Sequence, residues 1–187
     1  MFRCYITDRK ALAPPRTWKD AISRAIGHGA NWIQIREKDL AARDLYELVQ
    51  QAMALAAPTG TKVLVNSRFD VALAAGADGA HLPAGSPPPS AWRSLTPPGF
   101  LIGVSCHTLP DVLGAQREGA DYAVFGPVFA PRSHASDLAP RGVEGLRRAA
   151  RAVKIPVLAL GGIDEHSADA CIDAGAAGIA AISLFQC

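Results

Sequence analysis

The chain has 187 residues, of which 49% are hydrophobic and 19% charged, and its formal net charge is +2. This length and composition predict a single packed domain over residues 1–187, with a core that needs no disulfide or metal. The net charge is small and no run of five Lys or Arg occurs, which excludes a basic nucleic-acid arm. No apolar stretch reaches ~18–20 residues, which excludes a membrane span.

The four cysteines form neither a Cys-x-x-Cys pair nor a zinc-spaced cluster with histidine. We therefore expect reduced thiols in a cytoplasmic protein. The N-terminal residues MFRCYITDRK indicate a strand followed by charges and lack the apolar centre of a signal peptide.

A short phrase, Gly-Ala followed by Asn, Asp or Ala, recurs four times along the chain. It begins at Gly29, Gly76, Gly119 and Gly175, each time after a helix-like segment and before a short apolar run. Glycine adopts the left-handed conformation that ends a helix, and the apolar run is typical of a strand buried on both faces. Successive phrases are far enough apart for two βα units of about 25 residues each, so a further strand is expected between them.

Eight apolar runs result from this search. In chain order they are FRCYITD, WIQIRE, KVLVNS, GAHLP, FLIGVS, YAVFGPVF, PVLALGG and GIAAIS. Strands that alternate with helices predict an α/β protein with a parallel sheet, and eight units predict a closed (β/α)8 TIM barrel. The segments expected to be helical are residues 18–26 capped by Thr17, 39–57 capped by Asp39, 68–75, 90–95, 108–118, 143–153 and 165–174.

The eighth strand runs to Ser183, and only four residues follow it. The last helix is therefore expected to be truncated or missing. Either the barrel is open on that side, or a partner subunit covers the gap. We expect a homo-oligomer, most simply a dimer, because an exposed apolar flank favours association.

The active site of such a barrel lies at the C-terminal ends of its strands. Gly161 and Gly162 follow the seventh strand and precede a helix, and Ser183 follows the eighth. Small residues let backbone N–H groups approach a phosphate, so we predict a phosphate site there. The alternative is that the glycines only form a tight turn.

A second candidate anion site follows the second strand. Strand alternation sends Gln34, Arg36 and Lys38 to one face, the interior or mouth of the barrel. Two cations there require a ligand's phosphate or a structural network of acidic neighbours to offset their desolvation. We favour the ligand.

Seven segments in their correct order cover nearly the whole chain and resemble the thiamine phosphate synthase and TenI superfamily. They are QIREKD, VNSRFDVALAAGADGAHL, GVSCHT, GADYAVFGPVF, RGVEGL, IPVLALGGI and AGIAAIS. The resemblance implies a TIM barrel and a role in thiamine biosynthesis. A synthase of this family joins an aminopyrimidine diphosphate to a thiazole phosphate with magnesium, whereas some TenI relatives aromatise a thiazole phosphate carboxylate by moving a proton.

The resemblance also implies roles for individual residues. Gln34 and Asn66 match pyrimidine contacts, Arg36 and Lys38 match diphosphate contacts, and Ser105 matches a polar residue beside both. Gly162 and Ser183 match the thiazole phosphate site.

Three departures argue against a synthase. The family's two magnesium-binding aspartates correspond to Ser67 and, approximately, Ser86, and the segment APRSHAS replaces a loop that carries a lysine. Only Arg132 or His134 could supply a cation there. Magnesium prefers carboxylate ligands, so we expect no metal and no cofactor unless the protein is an active synthase.

The hypothesis drawn from the sequence is therefore a TenI-like, metal-independent thiazole tautomerase. The family's proton-transfer histidine corresponds to Pro127, which leaves His107 and His134 as candidates. Structural or solvated roles for both stay open, and His81 is expected to form hydrogen bonds at the barrel mouth. Cys106 next to His107 is rejected as a nucleophile because adjacent strand residues face opposite ways.

Three alternatives stay open. The first is an active thiamine phosphate synthase, and the second is a non-catalytic protein that binds thiazole or thiamine phosphate. The third is an unrelated phosphate-binding barrel with a Schiff-base lysine, for which only Lys38 and Lys62 are placed in strands. In each case the expected partner is a small phosphorylated molecule rather than a nucleic acid or a membrane.

Overall fold

The structure is a computed structural model that describes residues 1–130 and 138–186. Eight strands alternate with helices along the chain. The strands are β1 Phe2–Ile6, β2 Trp32–Ile35, β3 Lys62–Asn66, β4 Gly79–Leu82, β5 Leu101–Cys106, β6 Tyr122–Phe125, β7 Val157–Leu160 and β8 Gly178–Ala181.

Each strand is followed by a helix, and two short 3-10 turns lie at Arg9–Ala11 and Ala57–Thr59. The helices are α1 Trp18–Gly27, α2 Ala42–Ala56, α3 Phe69–Ala75, α4 Pro89–Arg93, α5 Leu109–Arg117, α6 Gly142–Arg151, α7 Glu165–Asp173 and α8 Ser183–Gln186. Within the described ranges, none of these helices combines the length and apolar character needed to cross a bilayer.

All eight strands are parallel, and each pairs with its sequence neighbours. The ring closes because β1 also pairs with β8, with Cys4 opposite Ala180. The predicted TIM barrel is therefore confirmed, and the alternative of an open barrel is wrong.

The eighth helix is truncated to one turn but not missing. Its Phe185 is 1% exposed and packs against Tyr5 with ring centroids 5.6 Å apart. This turn covers the β1–β8 seam within the subunit, so closure needs no partner. The dimer stays a prediction.

The helix caps follow the sequence in one case and depart from it in another. Thr17 caps α1 through a reciprocal capping box with Asp20, as predicted. Asp39 does not cap α2, which begins three residues later. Arg9 holds the Asp39 carboxylate with two hydrogen bonds of 2.6 and 2.7 Å, because a guanidinium can bind a carboxylate through two N–H groups at once.

Strand alternation divides the apolar residues into two layers. One layer lies between the strands and the outer helices. The other fills the barrel interior with Cys4, Ile6, Trp32, Leu64, Tyr122, Val124, Leu158 and Ala180. The polar side chains of the interior face therefore lie mainly towards the C-terminal ends of the strands.

Candidate active site

A cavity of about 370 Å³ opens at the C-terminal ends of the strands. Its walls include apolar side chains of β1, β7 and the residue after β8, namely Ile6, Leu160 and Ile182. Most of the predicted site residues also line it. They are Arg36, Lys38, Asn66, Ser105, His107, Gly161, Gly162 and Ser183.

One predicted residue of the described chain, Gln34, is not in this wall. Gln34 lies one layer deeper, 2% exposed, and reaches the cavity through its contact with Asn66. His134 lies outside the described residues, as does Arg132. Of the two candidate proton-transfer groups, only His107 therefore has a described position.

Arg36 and Lys38 give the cavity its charge. Among the described residues neither cation forms an ion pair with an acidic side chain, and no acidic side chain is part of the described cavity wall. Glu37 between them turns outward to Arg9, 3.0 Å from its guanidinium. The structural network considered as an alternative is thus absent from the described chain, and the cavity has the charge that an anionic ligand requires.

Gly161 and Gly162 form a turn that no larger residue could form. Their φ angles are +102° and +62°, and a Cβ at Gly161 would lie 2.6 Å from the Cβ of Pro127. The Gly161 carbonyl accepts a hydrogen bond from the Phe129 backbone. In the described chain no acceptor takes the backbone N–H of either glycine, so both the tight turn and free N–H groups for an anion are present.

The helix after this turn contributes less than the sequence suggests. Asp164 caps α7 and accepts the Ser167 backbone N–H at 2.8 Å, so the positive end of that helix is already occupied. The truncated helix α8 begins at Ser183, which lines the same cavity as the two glycines. TIM barrels commonly form a phosphate site from the seventh and eighth loops and a short extra helix.

The amide pair at β2 and β3 holds an unused acceptor. Gln34 Nε2 donates to Asn66 Oδ1 at 3.2 Å, and Asn66 Nδ2 donates to the Ser67 hydroxyl at 2.8 Å. Gln34 Oε1 is buried with no hydrogen-bond partner in the described chain. A buried acceptor of this kind is costly until a ligand donates to it.

Ser67 shows that the backbone at the end of β3 is constrained. Its φ is +63°, the left-handed value that side chains other than Asn and Asp rarely adopt. Such a conformation persists only where the surroundings impose it, and it is common at ligand sites.

A hydrogen-bonded line of side chains runs through the barrel interior to the cavity. His81 Nε2 lies 2.8 Å from Ser105 Oγ, and His81 Nδ1 lies 3.1 Å from the Tyr122 hydroxyl. His81 forms hydrogen bonds as predicted, but its position at the barrel mouth was wrong. It is 2% exposed, and burial lowers its pKa to about 4.

Tyr122 was missed by the sequence analysis as part of the site. The available signal was Gly103, because the ring of Tyr122 occupies the space that a Cβ there would need. A glycine in the middle of an interior strand indicates the close approach of another group.

His107 and Cys106 face opposite ways, as predicted. His107 Nδ1 lies 2.6 Å from the Gly126 carbonyl, which can only accept, so this nitrogen carries the proton and Nε2 remains for a ligand. Cys106 packs among the outer helices, and burial raises its pKa to about 12. The rejection of a thiolate nucleophile is confirmed.

The described residues do not form a magnesium site. No group of three or more potential metal ligands occurs among them, and hydroxyl-bearing Ser67 and Ser86 stand where the resemblance implies carboxylates. Magnesium is held in proteins mainly through carboxylates, so no step below depends on it.

Comparison with known proteins identifies the family. The family model described as thiamine monophosphate synthase matches residues 4–185. The putative thiamine-phosphate synthase 2 of Aquifex aeolicus is 40% identical over 180 residues, which cover 96% of this chain and 95% of that protein. The thiamine-phosphate synthase of Chlorobium luteolum is 41% identical, with 96% and 82% covered.

A solved structure agrees with these matches. The thiamine phosphate pyrophosphorylase from Pyrococcus furiosus superposes with a TM-score of 0.88 at 35% identity, covering all of this chain and 88% of that one. The chain belongs to the thiamine monophosphate synthase and TenI family.

Proposed function

We propose that the protein is a thiamine-phosphate synthase, a transferase that joins an aminopyrimidine diphosphate to a thiazole phosphate. The observation that carries the proposal is the charge distribution of the cavity. Among the described residues, Arg36 and Lys38 have no acidic partner in the cavity wall, and the backbone N–H groups of the Gly161–Gly162 turn, in the same wall, have no acceptor. Two separate anionic groups are accommodated best by such an arrangement.

The names of the relatives support this assignment over the tautomerase favoured by the sequence. The relatives at about 40% identity are named thiamine-phosphate synthases, and none of those compared above is named an isomerase. The isomerase hypothesis therefore moves from first to second place.

The aminopyrimidine ring would lie against β2 and β3. Its exocyclic amino group is a donor, which is what the buried Gln34 Oε1 lacks. The apolar side chains of Ile6, Leu160 and Ile182 would exclude water from the reacting rings, and this exclusion strengthens the interactions of the cations with the diphosphate.

The reaction forms one bond and breaks one. The thiazole nitrogen attacks the methylene carbon on the pyrimidine, a C–N bond forms, and the C–O bond to the diphosphate breaks with its electron pair leaving on oxygen. No proton has to leave, since the thiazole ring keeps the positive charge. Arg36 and Lys38 would stabilise the departing diphosphate, because no carboxylate of the described cavity wall competes for them.

One observation favours the tautomerase as a second candidate. The described cavity wall has no carboxylate for magnesium, and it includes His107 with its Nε2 available. The His107 Nε2 would take a proton from a thiazole phosphate carboxylate and return it elsewhere on the ring.

The test is to give the protein both synthase substrates, with magnesium and with chelator, and to follow thiamine phosphate and diphosphate. A parallel reaction offers thiazole phosphate carboxylate alone and follows its aromatisation. Thiamine phosphate formation supports the proposal. Aromatisation alone replaces it with the tautomerase, and tight binding without turnover replaces it with the non-catalytic binder.

A matched pair of variants tests the role of the cavity charge. Arg36→Gln should lower turnover at least tenfold, the loss expected for a hydrogen bond to a charged group. Arg43→Gln removes the same charge from an exposed side chain of α2 and should leave turnover unchanged. Equal rates in the two variants would contradict the proposal.

A further inference from the structure

The buried pair Tyr122 and His81 has no role in the reaction described above, yet it ends on a residue of the cavity wall. Tyr122 is fully buried in the barrel interior, and His81 is 2% exposed. Neither can reach a ligand directly. Within the described chain, the hydrogen bonds of the pair reach the cavity wall through Ser105, whose hydroxyl His81 contacts at 2.8 Å.

The direction of the hydrogen bonds follows from the satisfaction of buried donors. The Tyr122 hydroxyl has one hydrogen-bond partner in the described chain, His81 Nδ1 at 3.1 Å. If His81 donated from Nδ1, the tyrosine hydrogen would be buried without an acceptor, which carries the full cost of its desolvation. Tyr122 therefore donates, and His81 Nδ1 accepts.

The rest of the line is fixed by that first step. A neutral imidazole has one N–H and one bare nitrogen, and burial keeps His81 neutral at physiological pH by lowering its pKa to about 4. With Nδ1 accepting, Nε2 carries the hydrogen and donates to Ser105 Oγ. The hydroxyl hydrogen of Ser105 then cannot point at His81.

We propose that Tyr122 and His81 are positioning residues that turn the Ser105 hydroxyl hydrogen into the cavity, where it donates to an anionic oxygen of the bound substrate. In this relay, the hydrogen-bonded series Tyr122, His81 and Ser105, the Ser105 hydroxyl is a donor to the ligand rather than an acceptor. If the hydrogen bonds of the series ran in the opposite direction, Ser105 would donate to His81. The lone pairs of the Ser105 oxygen would then face the anionic oxygen of the substrate and repel it. This inference deepens the proposed function and rests on its anion-binding cavity.

The relay also predicts which ligand groups Ser105 favours. Serine is an ambivalent group that can donate or accept, whereas Arg36 and Lys38 only donate. Because the relay fixes the Ser105 hydroxyl as a donor before the ligand binds, the hydroxyl does not have to reorient on binding. It therefore favours acceptor-rich groups such as diphosphate or carboxylate over ligands that donate at this position.

The first experiment reads the protonated nitrogen of His81 directly by long-range proton–nitrogen NMR on the whole protein. We expect Nε2 to be protonated and Nδ1 bare in the wild type, and a mixture of the two tautomers in Tyr122→Phe. A wild-type His81 protonated on Nδ1 would overturn the proposal. This measurement needs no ligand, so it is independent of the proposed function.

The second experiment measures the binding of inorganic pyrophosphate by calorimetry in a double-mutant cycle. Ser105→Ala should weaken binding about tenfold, and Tyr122→Phe should lose part of that factor. In the Tyr122→Phe background, Ser105→Ala should cost less than it does alone. Losses that simply multiply would sink the relay. If the wild type does not bind pyrophosphate, the donation to an anion fails along with the proposed cavity, and the NMR result still decides the direction of the hydroxyl.

Two substitutions at His81 separate positioning from packing. A glutamine amide can accept from Tyr122 through its oxygen and donate to Ser105 through its nitrogen, so His81→Gln should retain most of the pyrophosphate affinity. His81→Leu keeps a side chain of similar size without polar atoms, leaves the Ser105 hydroxyl undirected, and should lose part of the affinity, as Tyr122→Phe does. Equal affinities in both variants would contradict the relay.

Tyr5→Phe is the control for removing a buried tyrosine hydroxyl. The Tyr5 hydroxyl accepts from Gln186, which also donates to the Asp8 carbonyl at 2.9 Å, so α8 stays attached. Pyrophosphate affinity should not change in this variant.

Discussion

Charged side chains are paired differently at the N-terminal end of the barrel and in the cavity at its C-terminal end. At the N-terminal end, Asp121 lies 2.7 Å from Arg93 and also accepts the Ile102 backbone N–H at 2.7 Å. Asp78 likewise accepts the Val63 backbone N–H at 2.8 Å. At the C-terminal end, by contrast, the cations of the cavity have no acidic partner in the described chain.

The difference separates stability from binding. A carboxylate that accepts a backbone N–H near the start of a strand and pairs with a cation holds neighbouring elements together. Two cations beside one cavity that lack an acidic partner in the described chain repel each other, so they are not expected to stabilise the fold. Under the proposed function their charge is used when an anion binds, so the C-terminal end would serve the ligand and the N-terminal end the fold.

The largest effect is expected at the glycine turn. Gly162→Ala should destabilise the protein by about 3 kcal/mol, because alanine resists a positive φ and its Cβ would overlap the Ala130 carbonyl. Pyrophosphate and thiazole phosphate binding should weaken as well. Urea unfolding and calorimetry measure the two effects.

Gly60→Ala is the matched control for this change. Its φ is +70°, close to that of Gly162, but nothing lies within 4 Å of the new Cβ. It should cost about 1 kcal/mol, the backbone part alone. Equal losses at the two glycines would show that the close approach at Gly162 contributes nothing.

The pH dependence of stability should reveal the buried His81 between the two ends. Its folded pKa is lowered from 6.5 to about 4, so the unfolded chain binds a proton at higher pH than the folded chain does. The stabilisation is complete above about pH 6.5 and is lost as the pH falls towards 4, up to about 3 kcal/mol.

His81→Gln isolates this contribution, because glutamine does not titrate. The difference in unfolding free energy between wild type and variant should shrink as the pH is lowered from 7 to 5, whereas carboxylates titrate in both proteins. A difference that stays constant over this range would show that His81 is not held neutral.

A reciprocal pair of charge removals tests the comparison itself. Asp121→Asn should lower the unfolding free energy by about 1–2 kcal/mol and leave pyrophosphate affinity unchanged. Arg36→Gln should weaken that affinity at least tenfold and leave stability equal or slightly higher. If Arg36→Gln destabilised the fold as much as Asp121→Asn, the cation would have a structural role and the contrast between the ends would fail.

The smallest effect is expected on the outer surface. Arg43 pairs with Glu47 four residues later on an exposed face of α2, and such pairs contribute about 0.3–0.5 kcal/mol. Arg43→Ala should therefore change thermal stability barely measurably, and 0.5 M salt should remove even that difference.

Much of the fold could be predicted because the signals are local and repeated. The four glycines that end helices all have positive φ, and each introduces a buried strand. Strand alternation also brought Arg36, Asn66 and Ser105 to one cavity. The predicted cap at Asp39 is wrong. Its carboxylate pairs instead with Arg9, a residue thirty positions earlier in the chain, and such a distant contact could not be predicted.

What the sequence alone determined is the order of the strands, the face each residue takes and the family, because these depend on neighbours within a few positions. Only the tertiary structure decided that the barrel closes through β1 and β8, that no described carboxylate faces Arg36, and that Tyr122 lies against His81. Those facts depend on which distant groups share a dry interior, where each donor must find an acceptor and each charge a partner.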